Sequence, residues 1–285
     1  MRFKTKRRKI LSGIICISIA LFAFLYWQNN SITIREIIYK NDAIPESFKG
    51  YKILQISDLH NKEFGRKQNK IIAKIEKINP DIIVVTGDLI DSRKMNIDIA
   101  MELINGAINI APIYYVSGNH EARSGSYYEL KAKLEDSRVM VLDNQKIEVF
   151  NDSDSIDIIG LSDSSFMQSS WLENETNVEL MNILNTLAID STNFKILLSH
   201  RPELFDLYTN SSVNLVFSGH AHGGQVRLPF IGGLVAPDQG FFPKYTEGIH
   251  TSNGTSMIIS RGLGNSIIPQ RIFNRPELIV VTLSK

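Results

Sequence analysis

The chain has 285 residues, of which 43% are hydrophobic and 21% are charged. That composition is typical of a globular protein with an ample core, built as one large domain or two small ones. The formal net charge of +1 argues against a nucleic-acid-binding protein, because such proteins usually carry a strong basic excess. The single cysteine, Cys16, can form no intrachain disulfide, which suits an exported bacterial domain.

The N-terminal residues predict a membrane anchor. Residues 1–9 are a basic flank, and residues 10–27 form an uncharged, mainly apolar run of 18 residues, about the shortest that spans ~30 Å of hydrocarbon. Tyr26 and Trp27 close the run as interfacial aromatic residues do. A cleavable signal peptide, a twin-arginine export signal and a buried core helix all match less well. By the positive-inside rule, we expect the basic flank in the cytoplasm and the rest of the chain outside, as a single-pass membrane protein.

The remaining residues predict an α/β fold. Residues 28–50 are interpreted as a linker with a first strand, Ile32–Tyr39, and residues 51–285 as one domain. Apolar runs predict strands at 51–57, 81–86 and 113–117, alternating with helices at 66–79 and 97–108. This alternation predicts a parallel sheet with crossover helices. In the second half we expect a helix at 175–189 and strands at 139–142, 146–150, 156–161, 194–199, 213–218, 225–228, 256–260 and 278–283.

Polar motifs follow five of the predicted strands, where open α/β folds place their chemistry. Five of the six histidines lie in these motifs, and the sixth, His250, is interpreted as a surface residue. The candidate metal ligands are Asp58, His60, Asp88, Asn119, His200, His220 and His222. Such a set can hold two cations if one carboxylate bridges them, and Asp88 is the best candidate for the bridge. The set contains imidazole and oxygen but no thiolate, which favours Mn, Fe or Zn over Mg or Ca.

Two local geometries are expected around these ligands. Gly87, Gly118 and Gly219 each precede a ligand, and we expect them to adopt the positive φ of a sharp turn. In the motif Gly219-His220-Ala221-His222, the two histidines are expected to face one side, as alternate residues of an extended segment do. A nearby arginine, Arg201, is interpreted equally well as a phosphate clamp or as a structural residue.

These motifs together resemble the calcineurin-like metallophosphoesterase superfamily. The stretch Gly219–Leu228 and the later motifs APDQGFF and ISRGLGNS are similar to a bacterial branch of small phosphodiesterases associated with the membrane or the cell wall. The resemblance implies a four-layer αββα sandwich and two metal sites that share Asp88. It assigns Asp58, His60 and His222 to one ion, and Asn119, His200 and His220 to the other.

The resemblance also implies two catalytic residues that are not ligands. His120 would face the leaving group as a general acid or stabilise the transition state, and Asp91 would orient it. A carboxylate beside an imidazole is expected to raise its pKa and fix its tautomer.

The sequence therefore predicts a membrane-anchored hydrolase with two divalent metal ions, Mn²⁺ being the first choice. A water shared by two such ions becomes hydroxide near neutral pH and can attack a phosphodiester or a pyrophosphate. Lipid- or wall-linked molecules are candidate substrates, and no nucleic-acid binding is expected. A phosphomonoesterase and a catalytically silent scaffold are the alternatives, and the sequence predicts no oligomeric state.

Overall fold

The computed structural model describes residues 2–167, 173–189, 191–266 and 268–285. Its helices are α1 (Arg2–Asn30), α2 (Asn69–Ile78), α3 (Ile97–Ala107), α4 (Asn119–Ser124), α5 (Tyr127–Asp136), α6 (Glu173–Ala188) and α7 (Phe205–Tyr208). Its first nine strands are β1 (Thr33–Lys40), β2 (Lys52–Ile56), β3 (Ile82–Thr86), β4 (Ile113–Val116), β5 (Met140–Val141), β6 (Gln145–Asn151), β7 (Asp154–Gly160), β8 (Phe194–Leu198) and β9 (Leu215–Ser218). Two short hairpins follow, β10 (Arg227–Leu228) with β11 (Gly232–Gly233), and β12 (Val235–Ala236) with β13 (Gly240–Phe241), before β14 (Gly248–Ser252), β15 (Thr255–Ile259) and β16 (Glu277–Ser284).

Strands β1–β9 and β14–β16 form two six-stranded sheets within the described residues. The first has the order β1-β16-β2-β3-β4-β5, and the second has the order β14-β15-β9-β8-β7-β6. In the first sheet β16 is antiparallel to β2, and in the second β6 and β14 are antiparallel to their neighbours; the other pairs are parallel. The carboxyl ends of β2, β3, β4 and β5 therefore lie at one edge of the first sheet, and those of β7, β8, β9 and β15 lie at one edge of the second.

Three apolar cores show how the layers stack. One core lies between the first sheet and helices α2, α3 and α5, and includes Ile71, Ile104 and Leu130. A second lies between the two sheets, where Ile53 and Val84 meet residues such as Ile196. The third lies between the second sheet and helices α6 and α7. This arrangement confirms the predicted four-layer αββα sandwich.

Helix α1 extends beyond the predicted 10–27 span in both directions. Residues Lys6–Asn30 make the one helix in the described part of the chain that is long and apolar enough to cross a membrane, judged by length and composition. The most apolar 18 residues of this helix are not buried against the rest of the protein. The helix ends three residues before β1, so the predicted linker contains the last turn of α1 and a strand paired along its full length with β16.

Some elements differ from the predictions. Helix α2 begins at Asn69, because Lys67 and Gln68 adopt left-handed φ values of 52° and 59° after Gly65. Helices α4, α5 and α7 and strand β14 were not predicted. The chain over 225–241 forms two hairpins of two-residue strands, whereas one strand was predicted at 225–228.

Candidate metal centre

Each candidate ligand lies just beyond the carboxyl end of a central strand. Strand β2 leads to Asp58 and His60, β3 to Asp88, β4 to Asn119, β8 to His200, and β9 to His220 and His222. All seven side chains are buried, in residues with at most 7% of their surface exposed. The structure brings together every ligand proposed from the sequence, with both sheets contributing.

The first cluster contains Asp58, His60 and His222. The Nε2 atoms of the two imidazoles are 3.1 Å apart, and Asp58 Oδ1 lies 3.4 Å from His222 Nε2. Candidate ligand atoms of all three residues lie within 4.8 Å of one another, which is close enough to share one ion.

The second cluster contains Asp88, His200, His220 and Asn119. His200 Nε2 lies 3.2 Å from Asp88 Oδ2, 3.1 Å from Asn119 Oδ1 and 3.1 Å from His220 Nδ1. The same carboxylate atom, Asp88 Oδ2, is 3.4 Å from His60 Nε2 of the first cluster. Asp88 thus lies between the two clusters, at the position of a bridging ligand.

The chemistry of the first cluster fits a bound cation. Burial lowers the pKa of His60 to about 3, and burial and His60 hold the pKa of His222 well below its usual value. Two neutral rings can join their facing Nε2 atoms by a hydrogen bond only if one ring carries its proton on Nε2. Their Nδ1 atoms have no hydrogen-bond partner among the described residues, so each Nδ1 can keep the ring proton and leave Nε2 as a lone-pair donor.

The second cluster has its imidazoles oriented by neighbours. His200 Nδ1 lies 2.7 Å from the carbonyl oxygen of Thr86, which can only accept, so His200 Nδ1 carries the proton. In the same way, His220 Nε2 donates to Asp238 Oδ2 at 3.0 Å and leaves Nδ1 free. Metal-binding histidines are commonly held by such second partners.

The charges of this cluster also favour a cation. Burial alone would lower the pKa of His200, but Asp88 and its hydrogen bond to the ring raise that pKa to about 10. Contact with His200 holds the pKa of Asp88 well below its usual value, although burial opposes this. A positive charge is thus strongly favoured beside Asp88, and a divalent ion can supply it in place of the proton.

The ligands are carried on unusual backbone conformations. Left-handed φ values occur at five of them, with 52° at Asp58, 46° at His60, 54° at Asp88, 63° at His220 and 48° at His222. Such values cost non-glycine residues free energy and cluster at functional sites. The expectation that the last two histidines lie on an extended segment is wrong, and the turn between them sends one ring to each cluster.

The glycines before the ligands serve two different purposes. Gly87 has the expected positive φ, +85°, but Gly118 and Gly219 do not. A Cβ at Gly118 would lie 2.3 Å from Asp88 Oδ1, and a Cβ at Gly219 would lie 2.5 Å from Asp58 Oδ2. These two positions therefore require glycine because a ligand carboxylate approaches the backbone, which corrects the reason given from the sequence.

His120 lies beside the two clusters. Its Nδ1 accepts a hydrogen bond from the backbone N–H of Ser92 at 3.1 Å, whereas Asp91 Oδ1 is 3.6 Å away. Asp91 is instead paired with the Arg93 guanidinium, through contacts of 2.9 and 2.6 Å. Burial lowers the pKa of His120 and outweighs the effects of Asp88 and Asp91, so the expected rise in this pKa is not found.

The structure adds two positioning residues that were not assigned from the sequence. The buried Glu121 carboxylate accepts backbone N–H groups of Asp88 and Gly118, each at 2.8 Å, and of Ile90 at 3.2 Å, and so joins two ligand loops. Its position next to a candidate ligand and His120 was the only available signal. Asp238 lies in the turn that joins β12 to β13, and only its place in the motif APDQGFF pointed to it.

Arg201 is not free to act as a phosphate clamp. Its guanidinium makes two contacts with the buried Asp163 carboxylate, at 2.8 and 3.1 Å, and Nη1 contacts Asp238 at 2.6 Å. The structural interpretation of this arginine is therefore the better one.

His250 lies on β14, away from the clusters, with Nε2 near a backbone oxygen.

A cleft of about 400 Å³ opens over both clusters. Besides ligands from each cluster, it is lined by His120, Arg93, Arg123, Asp238 and Ser266. Two arginines at the opening of a site with clustered imidazoles suit an anionic substrate.

Comparison with known proteins gives consistent matches. The sequence model for calcineurin-like phosphoesterases matches residues 51–224. The chain is 30% identical over 267 residues to the uncharacterized metallophosphoesterase YkuE of Bacillus subtilis, covering 90% of this chain and 87% of that protein. It is 24% identical to the phosphodiesterase YaeI of Escherichia coli, covering 87% and 86% of the two chains. It is 28% identical to a Danio rerio transmembrane protein with metallophosphoesterase domain, covering 86% of this chain and 55% of that protein.

Proposed function

Because this chain belongs to the calcineurin-like phosphoesterase family, we propose that it is a membrane-anchored hydrolase of phosphodiester or pyrophosphate bonds that uses two divalent metal ions. One observation carries the proposal. Two buried ligand clusters meet at a single carboxylate, Asp88, beneath an open cleft lined by His120 and two arginines.

The proposed ligands divide as the clusters do. Asp58, His60, Asp88 and His222 would hold one ion, and Asp88, Asn119, His200 and His220 would hold the other. When bound, two such ions neutralise phosphoryl oxygens and lower the pKa of water to near neutrality. Mn²⁺ is the proposed native metal, because the donor set mixes imidazole with oxygen and has no thiolate.

The protein's own groups would manage the leaving group. Ser92 donates to His120 Nδ1, so a neutral ring carries its proton on Nε2. We propose that this N–H donates a hydrogen bond to the departing oxygen and so stabilises the negative charge that develops there. Asp91 holds Arg93 at the cleft, and the paired guanidinium can contact a phosphate oxygen while Asp91 keeps it in place.

A diester or pyrophosphate is favoured over a monoester for two reasons. A relative covering 87% of this chain is named a phosphodiesterase. The cleft is open and holds about 400 Å³, which leaves room for a second substituent on the phosphorus. An anchored enzyme would meet phospholipid head groups, lipid-linked precursors or wall polymers.

The proposed topology has a cytoplasmic basic flank at 1–9, a membrane span at 10–27, a connecting segment at 28–50 and an extracytoplasmic catalytic domain at 51–285. A helix of suitable length and composition and a transmembrane relative support it. A reporter that is active only outside the cytoplasm, fused after Lys285, is expected to be active. If only a reporter that requires the cytoplasm is active in this fusion, the proposed orientation is wrong.

Hydrolysis of bis(p-nitrophenyl) phosphate tests the activity. The full chain in detergent with Mn²⁺ should hydrolyse this diester faster than p-nitrophenyl phosphate. Asp88→Asn should abolish turnover, and His120→Asn should lower kcat by ~10²–10³ while retaining metal. Asp136→Asn, an exposed residue at the end of α5, is the matched control and should leave turnover unchanged. Wild-type turnover no higher than that of Asp88→Asn would favour a silent scaffold, and a faster monoester would favour a phosphomonoesterase.

A further inference from the structure

A group of large apolar side chains is exposed beside the end of α1. Phe230 is fully exposed, and Ile231, Phe273 and Leu228 expose 58%, 52% and 39% of their surface. These four residues line one shallow depression and are called the apolar surface below. Soluble proteins seldom leave adjacent large apolar residues in water without a binding partner.

The apolar surface is attached directly to α1. The ring of Phe273 packs edge-on against the ring of Phe24, with centroids 5.8 Å apart. The hairpin that carries Phe230 is bonded to the same segment, since the N–H of Arg227 donates to the carbonyl of Ile272 at 3.0 Å. The apolar surface and the apolar face of the helix are therefore continuous.

The last turns of α1 are docked on the domain by several polar contacts. The Asn29 side chain donates to the carbonyl of Pro269 at 3.0 Å and accepts from the N–H of Arg271 at 2.8 Å. Gln270 donates to the carbonyl of Leu25 at 3.0 Å. The guanidinium of Arg275 lies 4.4 Å from the centre of the Trp27 ring. These contacts fix the direction of the helix relative to the domain.

The position of Phe24 in the helix sets the depth of the apolar surface. Phe24 lies three residues before Trp27, the last residue of the uncharged run, which places it ~4.5 Å inside the end of that run at 1.5 Å per residue. If the run spans the hydrocarbon, Phe273 is held at the boundary between hydrocarbon and head groups.

We propose that the apolar surface inserts into the head-group boundary of the lipid bilayer and holds the catalytic domain against the membrane. This inference rests on the proposed insertion of α1 in the membrane. A bilayer is the favoured occupant because the surface continues an apolar helix that itself has no cover in the structure. Amphipathic segments beside an anchor commonly bind in this way.

The docking has a consequence for the substrate. Ser266 lines the cleft over the metal clusters, and Pro269, three residues later, contacts the helix end. Three residues span at most ~11 Å, so the opening of the cleft lies close to the bilayer surface. A phosphodiester in a lipid head group, one of the candidate substrates named above, would then lie within reach of the site.

Spin labels on the full chain test this inference. The protein is reconstituted in vesicles of phosphatidylcholine and phosphatidylglycerol, with one labelled cysteine at a time. Native Cys16 reports the depth of α1, and Ile231→Cys in a Cys16→Ser background reports the apolar surface. Phe150→Cys in that background is the matched control, because Phe150 is also an exposed apolar residue, at 68% against 58% for Ile231. It lies on β6, paired with Ser155 near the start of β7, and so is remote from the strand ends that form the site.

Power-saturation EPR compares the access of oxygen and of an aqueous nickel chelate to each label. The ratio of oxygen access to nickel-chelate access is expected to be highest at Cys16 and several-fold higher at position 231 than at position 150. Equal ratios at 231 and 150 with a deep Cys16 would overturn the inference and leave the anchor intact. A water-exposed label at Cys16 would overturn both the insertion of α1 in the membrane and the docking of the apolar surface on it.

Two further readouts separate the remaining outcomes. Spectral broadening at position 231 that disappears on dilution with unlabelled protein would assign the apolar surface to a second copy of the chain and overturn the inference. Hydrolysis of soluble bis(p-nitrophenyl) phosphate is expected in every labelled protein. Its loss with a deep label at 231 would contradict the proposed activity but not the membrane docking.

Discussion

Replacing Gly219 by alanine should damage the metal centre through one added methyl group. An alanine Cβ would lie 2.0 Å from Ser57 Oγ and 2.5 Å from Asp58 Oδ2, whereas ordinary contact begins at 3.4 Å. These atoms would have to move by about 1.4 and 0.9 Å. Because Ser57 Oγ donates a hydrogen bond of 2.5 Å to Asp58 Oδ2, neither atom can move alone. Gly219 does not have a positive φ, and the effect is therefore steric.

The expected cost has two parts. Overpacking of this kind lowers the free energy of unfolding by ~1–3 kcal/mol. Displacement of a ligand by about 1 Å should lower kcat/KM for bis(p-nitrophenyl) phosphate by ~10²-fold. The measurements are steady-state kinetics across a Mn²⁺ titration, bound metal by mass spectrometry, and urea unfolding.

A second glycine provides the control. Gly254 lies at the turn between β14 and β15 with a φ of +82°, and no atom of the described residues comes within 4 Å of the place that an added methyl group would take. Gly254→Ala should lower stability by ~1–2 kcal/mol through backbone strain alone and leave kcat/KM and metal content unchanged. Full activity and normal metal content in Gly219→Ala would refute the steric argument.

Three further changes test other contacts. Asp238→Asn should weaken Mn²⁺ binding by ~10–100-fold, because His220 loses the carboxylate that orients it; calorimetry with an unchanged Kd would contradict this. Burial raises the pKa of Asp143 to about 6 from 3.8, so the protonated carboxyl is favoured in the folded protein. The free energy of unfolding should therefore be highest below pH 4 and fall by at most ~3 kcal/mol as the pH rises through 6. In urea unfolding, Asp143→Asn should remove that part of the pH dependence, and the same dependence of the free energy of unfolding on pH in both proteins would argue against it. Arg201→Ala should cost ~3–5 kcal/mol of stability because Asp163 is left as an uncompensated buried charge; a loss below 1 kcal/mol would show that water or another residue compensates it.

The strands and the ligands could be predicted from the sequence because their signals are local. A strand buried on both faces reads as a continuous apolar run, as Ile82–Thr86 does, and parallel strands place their carboxyl ends at one edge. Polar residues after such runs therefore converge. The same reasoning predicted no contact for Glu121, since its partners are backbone N–H groups of two separate loops.

The elements that were not predicted have weak or misleading local patterns. Strand β14 is short and mostly polar, and the hairpins between 227 and 241 contain strands of two residues rich in glycine. The alternate spacing of His220 and His222 predicts an extended segment, but the two side chains belong to different clusters and the backbone between them forms a turn with positive φ values. Tertiary contacts decided these segments, and a single sequence does not record them.

The pairing of β1 with β16 affects the order in which the protein can be built. These strands are joined at eight positions although about 240 residues separate them in the chain, and β16 also separates β1 from β2. During synthesis β1 emerges first, yet it has no strand partner until β16, about 240 residues later in the chain, has left the ribosome. The first sheet can be completed only after β16 has been synthesised, so we expect it to form late and expect loss of β16 to be more damaging than loss of an edge strand.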